Sequence, residues 1–300
     1  MASSPPYQRI RRYEALGRVT GNRVVQSALS RVDATTRSEG VSLKYVERGT
    51  EVYTLDGHSH AVRAGQFLVI NHHQTYHVGF EAHQPVRGLC IYLTPALMEE
   101  VQRPWRQSLE GPADPTGHVF CEAVYVAAQT PLGPPLRRLF QQLHDPAFHA
   151  PLWDASAWFH LLAQSLVEQQ AGVHVDVNRL PARRLSTRRE VYRRVLRART
   201  LLDDDYAAPW SLHDLADVAC LSPYHLLRSF KHLQGCTPHQ YQLRQRIAAA
   251  QAQLRQTNAP ITAVALAVGF PDLASFSKAF KRHTGQTPSA YRVQGEAPLR

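Results

Sequence analysis

The residues of this 300-residue chain that bear chemistry are sixteen histidines, four cysteines and a dense set of arginines and lysines. His58 and His60 have the H-x-H spacing of a metal pair, but they directly follow the Asp56-Gly57 turn. His72 and His73 are adjacent, and neighbours on a strand leave opposite faces. Cys90, Cys121, Cys220 and Cys236 include no C-x-x-C pair and no zinc-finger spacing with histidine. They read as buried thiols of a reduced compartment. From these residues no metal, no cofactor and no catalytic group is expected.

The cations say more. Residues 1–180 hold 16 Lys and Arg against 16 Asp and Glu, whereas residues 181–292 hold 17 against 7. The net charge of +10 therefore lies in the C-terminal part. A basic region beside a neutral one points to a polyanionic partner.

That basic region contains a repeat. FKHLQGCTPHQY (230–241) and FKRHTGQTPSAY (280–291) match at Phe230/Phe280, Lys231/Lys281, Gly235/Gly285, Thr237/Thr287, Pro238/Pro288 and Tyr241/Tyr291. In both copies a helix ends at Gly, which takes the left-handed conformation beyond a helix. Thr then caps the next helix and Pro fills its first position, where no N–H is needed. Gln240 stands where it closes a capping box with Thr237; Ala290 cannot do so. Upstream of each copy lies a shorter helix with a small residue, Ala216 or Ala265. Cys220-Leu221 or Gly269-Phe270 forms the turn, with one extra residue in the second copy. Ser222 caps the second helix of the first copy and Pro223 follows it. These are the parts of two helix-turn-helix units.

The second helix of such a unit lies in a major groove. In the first unit Leu226, Phe230 and Leu233 form the inward stripe, so Tyr224, His225, Arg228 and Lys231 face out. Arg228 is the expected base reader, since Arg pairs bidentately with guanine. Leu227 either packs or reads a thymine methyl. In the second unit Phe276 and Phe280 point in, and Ala274, Ser275, Lys278, Lys281 and Arg282 form the DNA side. The small Ala274 and Ser275 predict phosphate contacts with modest specificity there. His283 is a surface or phosphate neighbour.

The stretch TAVALAVGFPDLASFSKAFKRHTGQTPSAYR (262–292) resembles the signature region of the AraC/XylS family of bacterial regulators. The resemblance implies a seven-helix domain in which TPHQYQLRQRIAAAQAQLRQ joins the two units. It also implies double-stranded DNA and RNA polymerase as partners, no enzymatic activity and an N-terminal cupin barrel that senses a small molecule.

The N-terminal sequence agrees with a barrel. RVVQSALSRVD, VSLKYVERG, TEVYTLDG, HSHAVRAG, QFLVIN and PVRGLCIYLT read as short strands. Gly49, Gly57 and Gly65 recur every eight residues, the rhythm of hairpins, and Asp56-Gly57 is a tight-hairpin signal. LTPALMEEVQRPW reads as a helix after Thr94, and HVFCEAVYV as a strand or helix start. Residues 41–77 are similar to a degenerate cupin that lacks the H-x-H of the metal-binding forms. Tyr45, Glu47 and Tyr53 are expected to line the interior as an effector pocket, with His77 at the rim. Amphipathic helices at 134–144 and 151–170 pack either on the barrel or against a second subunit, and a homodimer is expected.

The expected fold is α+β in two domains: a cupin-like antiparallel β-barrel with accessory helices, then an all-α domain of two helix-turn-helix units joined by a linker helix. The boundaries are an arm over 1–20, a sensor domain over 21–170 with dimerisation helices at 134–170, a linker over 171–188 and the DNA-binding domain over 189–292. No apolar run spans a membrane, and the N-terminus has no signal-peptide core, so a cytoplasmic protein is expected. The competing readings are a regulator that works through protein contacts alone, a metal-dependent cupin enzyme fused to a DNA-binding domain, and a DNA-repair alkyltransferase. The last needs a reactive cysteine, and neither GLCIY around Cys90 nor VFCEA around Cys121 has the P-C-H-C context.

Overall fold

The computed structural model describes residues 6–11, 21–108, 120–150 and 153–295. They form two compact units that divide between Val177 and Asn178.

The first unit is built on one sheet. Its strands are β1 (Tyr7–Ile10), β2 (Arg23–Arg37), β3 (Val41–Arg48), β4 (Thr50–Leu55), β5 (His58–Arg63), β6 (Gln66–Ile70), β7 (Thr75–Leu93) and β8 (Val124–Val126). Six of them run in the order β1-β2-β7-β3-β6-β8, and β4 pairs with both β5 and β7. All pairings are antiparallel except β1 with β2. Asp56 and Gly57, with φ of 49° and 78°, make the two-residue turn that sets Leu55 opposite His58. Strand β7 begins ten residues before the expected PVRGLCIYLT segment and takes in His77. Its first half pairs with the end of β2 and with β4, and its second half with the start of β2 and with β3. Pro85 lies between the halves, where the β2 register slips between Leu29 and Arg31. A residue without an N–H is tolerated at such an irregularity. The apolar core within the folded sheet is Leu29, Val32, Val46, Tyr53, Leu55, Val62, Leu68, Ile70, Tyr76, Val78 and Val86.

Two boundaries differ from expectation. Part of the 1–20 arm is strand β1, whose side chains are also held. The Tyr7 hydroxyl donates to Gln26 Oε1 at 2.6 Å, and Arg9 Nη2 donates to the Leu143 carbonyl at 2.9 Å. The expected 171–188 linker is largely helical. After α1 (Pro95–Ser108) and α2 (Gly133–His144), α3 runs over Ala155–Arg179. Val173 and Val177 are buried one turn apart, so the apolar stripe continues through Gly172 and carries the helix with it.

The described residues of the second unit form seven helices: α4 (Leu185–Asp204), α5 (Leu212–Ala219), α6 (Pro223–Gln234), α7 (Pro238–Gln256), α8 (Ile261–Ala267), α9 (Leu273–Thr284) and α10 (Pro288–Gly295). Gly235 and Gly285 end α6 and α9 with φ of 69° and 78°. Thr237 and Gln240 close the capping box at the start of α7. At the end of α5 the exposed Cys220 takes φ 51°, a conformation that costs an L-residue about 1–2 kcal/mol. Cys220→Gly is expected to stabilise this domain by roughly 0.5–1 kcal/mol, after the entropy of a more flexible unfolded chain is deducted. Urea unfolding of the full chain measures this; a lower midpoint would mean that the thiol contributes packing.

Candidate functional site

The two outward helices share one burial register. Leu226 and Phe230 on α6, and Phe276 and Phe280 on α9, are fully buried. Each pair lies 50 residues from its counterpart, so the outward positions correspond as well: 224 with 274, 225 with 275, 228 with 278, 231 with 281 and 232 with 282. All ten of these residues are exposed. Tyr224 is 73% exposed, an unusual placement for an aromatic ring. Leu227 is half-buried, as is Leu233, and Ser229 supplies the buried turn that Leu233 was expected to share. His232, the counterpart of Arg282, joins the outward face and is absent from the expected set. The 50-residue offset already marks it.

The start of each helix is fixed by a cap. Ser222 accepts from the His225 N–H at 3.3 Å, and Asp272 accepts from the Ser275 N–H at 2.7 Å. The Ser275 hydroxyl also donates to Asp272, so it is already engaged. These two bonds hold the Asp272 carboxyl below the usual carboxylate range. A carboxylate therefore stands at the entrance of α9, where a phosphate would otherwise be favoured. No such acid stands at the start of α6.

The turns hold the helices alike. Leu221 N–H donates to the Ala216 carbonyl at 2.9 Å, and Phe270 N–H to the Ala265 carbonyl at 3.0 Å. Ala216 and Ala265 are fully buried, as the close crossing requires. The second turn uses Gly269 at φ 89°, set directly against the Ala207 backbone. The joining helix α7 buries Ile247, Ala250 and Leu254 in a core shared with Val264, Phe276 and Phe280. On the side of α4, the Tyr241 hydroxyl donates to Asp203 at 2.7 Å and Gln245 Nε2 donates to the same oxygen at 2.6 Å.

The sheet interior differs from the expected pocket. Tyr45 lies opposite Leu89 and Phe67 across the ladder, and its ring meets Phe140 of α2 edge-on at 6.3 Å. It therefore sits on the outer face under α2. Glu47 is exposed. His77 stands beside Thr35 and Thr54, also outside, 3.6 Å from Asp33. Of the four expected residues only Tyr53 points inward. The strand neighbour of Tyr45 is the inward one: Lys44 is 1% exposed, lies opposite Cys90 and Leu68, and donates to the Tyr92 hydroxyl at 3.1 Å. Its ammonium lies 4.9 Å and 4.4 Å from the Tyr76 and Tyr92 ring centres. Glu51 is 4% exposed and accepts from the Tyr53 hydroxyl at 2.6 Å. Burial pushes the Glu51 carboxyl above its ordinary value, opposed by Tyr53 and Lys44. Burial likewise pushes the Cys90 thiol up, the reverse of what a nucleophile needs. His72 and His73 lie in a turn, not on a strand, and their rings stand 3.6 Å apart instead of facing opposite ways. Among the described residues no three His, Cys, Asp or Glu gather as a metal site.

A family model described as an AraC-like ligand binding domain matches residues 30–162, and one described as a helix-turn-helix domain matches residues 215–294. AdaA, a bifunctional transcriptional activator/DNA repair enzyme of Bacillus subtilis, is 38% identical over 91 residues, 30% of this chain and 43% of that protein. The chain thus spans less than half the length of that relative. The probable transcription factor PqrA of Proteus vulgaris is 34% identical over 84 residues, 28% of this chain and 69% of that protein. The arabinose operon regulatory protein of Escherichia coli (strain K12) is 27% identical over 268 residues, 87% of this chain and 83% of that protein. A ligand-binding match followed in chain order by a helix-turn-helix match, on a sheet unit followed by a seven-helix unit, places the chain in the AraC/XylS family of transcription regulators.

Proposed function

We propose that this protein is a sequence-specific DNA-binding transcription regulator whose helices α6 and α9 enter two successive major-groove segments. The observation that carries this reading is the shared outward face: ten exposed positions at one offset, rich in Arg, Lys and His, on two helices that both end at a left-handed glycine and share the same buried side. Positive charge supplies affinity and the outward side chains supply register and sequence preference. Selection of duplexes from a randomised pool with the full chain tests it. The expected outcome is a two-part site whose segments lie about 10–10.5 base pairs apart. A one-segment site, or no enriched sequence, would overturn the reading.

A small-molecule effector is the proposed control. The polar interior around Lys44, Glu51, Tyr53, Tyr76 and Tyr92 supports this: it sets a cation, a carboxyl and phenols within an apolar core, which suits a small polar ligand with both donor and acceptor groups. Binding there shifts the balance between forms of the chain with different DNA affinity. Thermal melting of the full chain across a panel of small polyols and carboxylic acids is expected to find a ligand that raises the midpoint, by about 2.7 kcal/mol of stabilisation at a hundred times Kd. The same ligand should leave Lys44→Met unshifted. A shift retained in that variant would move the effector out of the sheet interior. As a regulator of this type the protein works in the cytoplasm as a homodimer through α2 and α3 and acts on RNA polymerase. The described residues include no helix long and apolar enough to cross a membrane.

A further inference from the structure

The segment between α4 and α5 carries three backbone carbonyls, at Tyr206, Ala207 and Ala208, and side chains of the joining helix grip all three. Arg246 Nε donates to Tyr206 at 2.7 Å, and its Nη2 donates to Ala207 at 3.2 Å and Ala208 at 2.9 Å. Gln242, one turn earlier and nearly fully buried, donates from Nε2 to Tyr206 at 3.0 Å and to Ala208 at 2.6 Å. The same guanidinium lies 5.9 Å from the ring centre of Phe270, in the turn of the second unit. Gly269 of that turn packs on the Ala207 backbone.

The middle of α7 therefore holds the entrance to the first unit and touches the turn of the second. A guanidinium is a planar fork of fixed donors, so three charge-assisted bonds to one backbone segment fix an orientation as well as a distance. Two binding modules on one chain gain avidity of about 10²–10⁴ only when their linkage lets both engage together. A stiff linkage confines that gain to one separation of the two DNA segments, and a loose one spreads it over several.

We propose that Arg246, supported by Gln242, is the positioning residue that sets the spacing between the two DNA segments this protein accepts. The inference rests on the two-groove reading above, and Arg246 itself touches no DNA in it.

The test uses the full chain and the two-part duplex that the wild-type protein selects from a random pool, with derivatives carrying one or two base pairs inserted between the segments. Each inserted pair turns the second segment by about a tenth of a helical turn. Wild type is expected to lose at least about tenfold in affinity for each insertion, within the avidity range above. Arg246→Met keeps the aliphatic stem and removes the fork. It is expected to narrow the ratio between the parent and inserted duplexes to about threefold or less, while Arg246→Lys restores part of the discrimination. A merely structural role would lower the thermal midpoint and weaken all duplexes together, leaving that ratio as in wild type; this result overturns the proposal. Tolerance of insertions by the wild type also overturns it. If Arg246→Met does not melt cooperatively, Gln242→Leu is the variant to read, with a smaller narrowing expected and an unchanged ratio again counting against the proposal. Failure of the wild type to select any two-part duplex brings down the two-groove reading instead, before the spacing ratio is measured.

Discussion

Gly269→Ala is expected to destabilise the helical domain by about 2–4 kcal/mol and to abolish tight binding to a two-part DNA site. Two costs add. The backbone at φ 89° disfavours any side chain, and a methyl group there runs into the Ala207 carbonyl oxygen and carbon. That carbonyl has no freedom to retreat, because Arg246 holds it and its neighbours. The turn must open instead, which displaces α8 from the packing around Val264, Ala265 and Val268. Gly235 and Gly285 provide the internal comparison. Both have φ in the left-handed region, at 69° and 78°, but an added Cβ meets nothing within 4 Å. Alanine at either should cost only the backbone term, about 1–2 kcal/mol. For a domain of this size the Gly269 variant should melt more than about 10 °C below wild type. Equal losses at all three glycines would show that the contact with Ala207 carries no weight. A single-segment duplex that still binds to the folded fraction would confirm that the first unit survives the change.

The repeat was legible because its signals are local. Gly235 and Gly285, Thr237 and Thr287, and the buried phenylalanines each state a backbone or packing requirement within a few residues. The same holds for Asp56-Gly57. The sensor interior was not legible from alternation. Period two tells which residues of β3 share a face, yet β3 is buried on both faces up to Val46, one against the folded sheet and the other under α2. With both sides apolar in aggregate, nothing in SLKYVERG says that Lys44 faces inward and Tyr45 outward. Lysine is also an unexpected interior residue, and the tyrosines that arrive from β7 help make its burial tolerable. Strand β1 was invisible for a related reason. Tyr7 and Arg9 are held by Gln26 and by the end of α2, contacts far away in sequence. Gly172 does not end α3, since a glycine in open space interrupts no helix whose buried stripe continues past it.

Arg228→Ala should weaken binding to the selected site by about 1–3 kcal/mol, roughly 5- to 150-fold, and flatten the sequence preference at the positions read by α6. The effect should not be mirrored at Lys278, its counterpart on α9. Arg228 is exposed on a helix that opens with Ser222, Tyr224 and His225, and no acidic residue stands in that first turn. Lys278 follows Asp272, Ala274 and Ser275. Those side chains are short, and the serine hydroxyl is already bonded to the aspartate. A lysine there is a point charge on a flexible stem, suited to a phosphate rather than to the paired acceptors of a guanine edge. Lys278→Ala should therefore weaken all sequences about equally and lower the dependence of log affinity on log salt by about one unit, leaving preference intact. Parallel selections with wild type, Arg228→Ala and Lys278→Ala, each paired with a salt titration, separate the two roles. Loss of preference on both changes would make α9 an equal reader. Loss on neither would move base recognition to Tyr224 or Lys231, the remaining long outward side chains of α6.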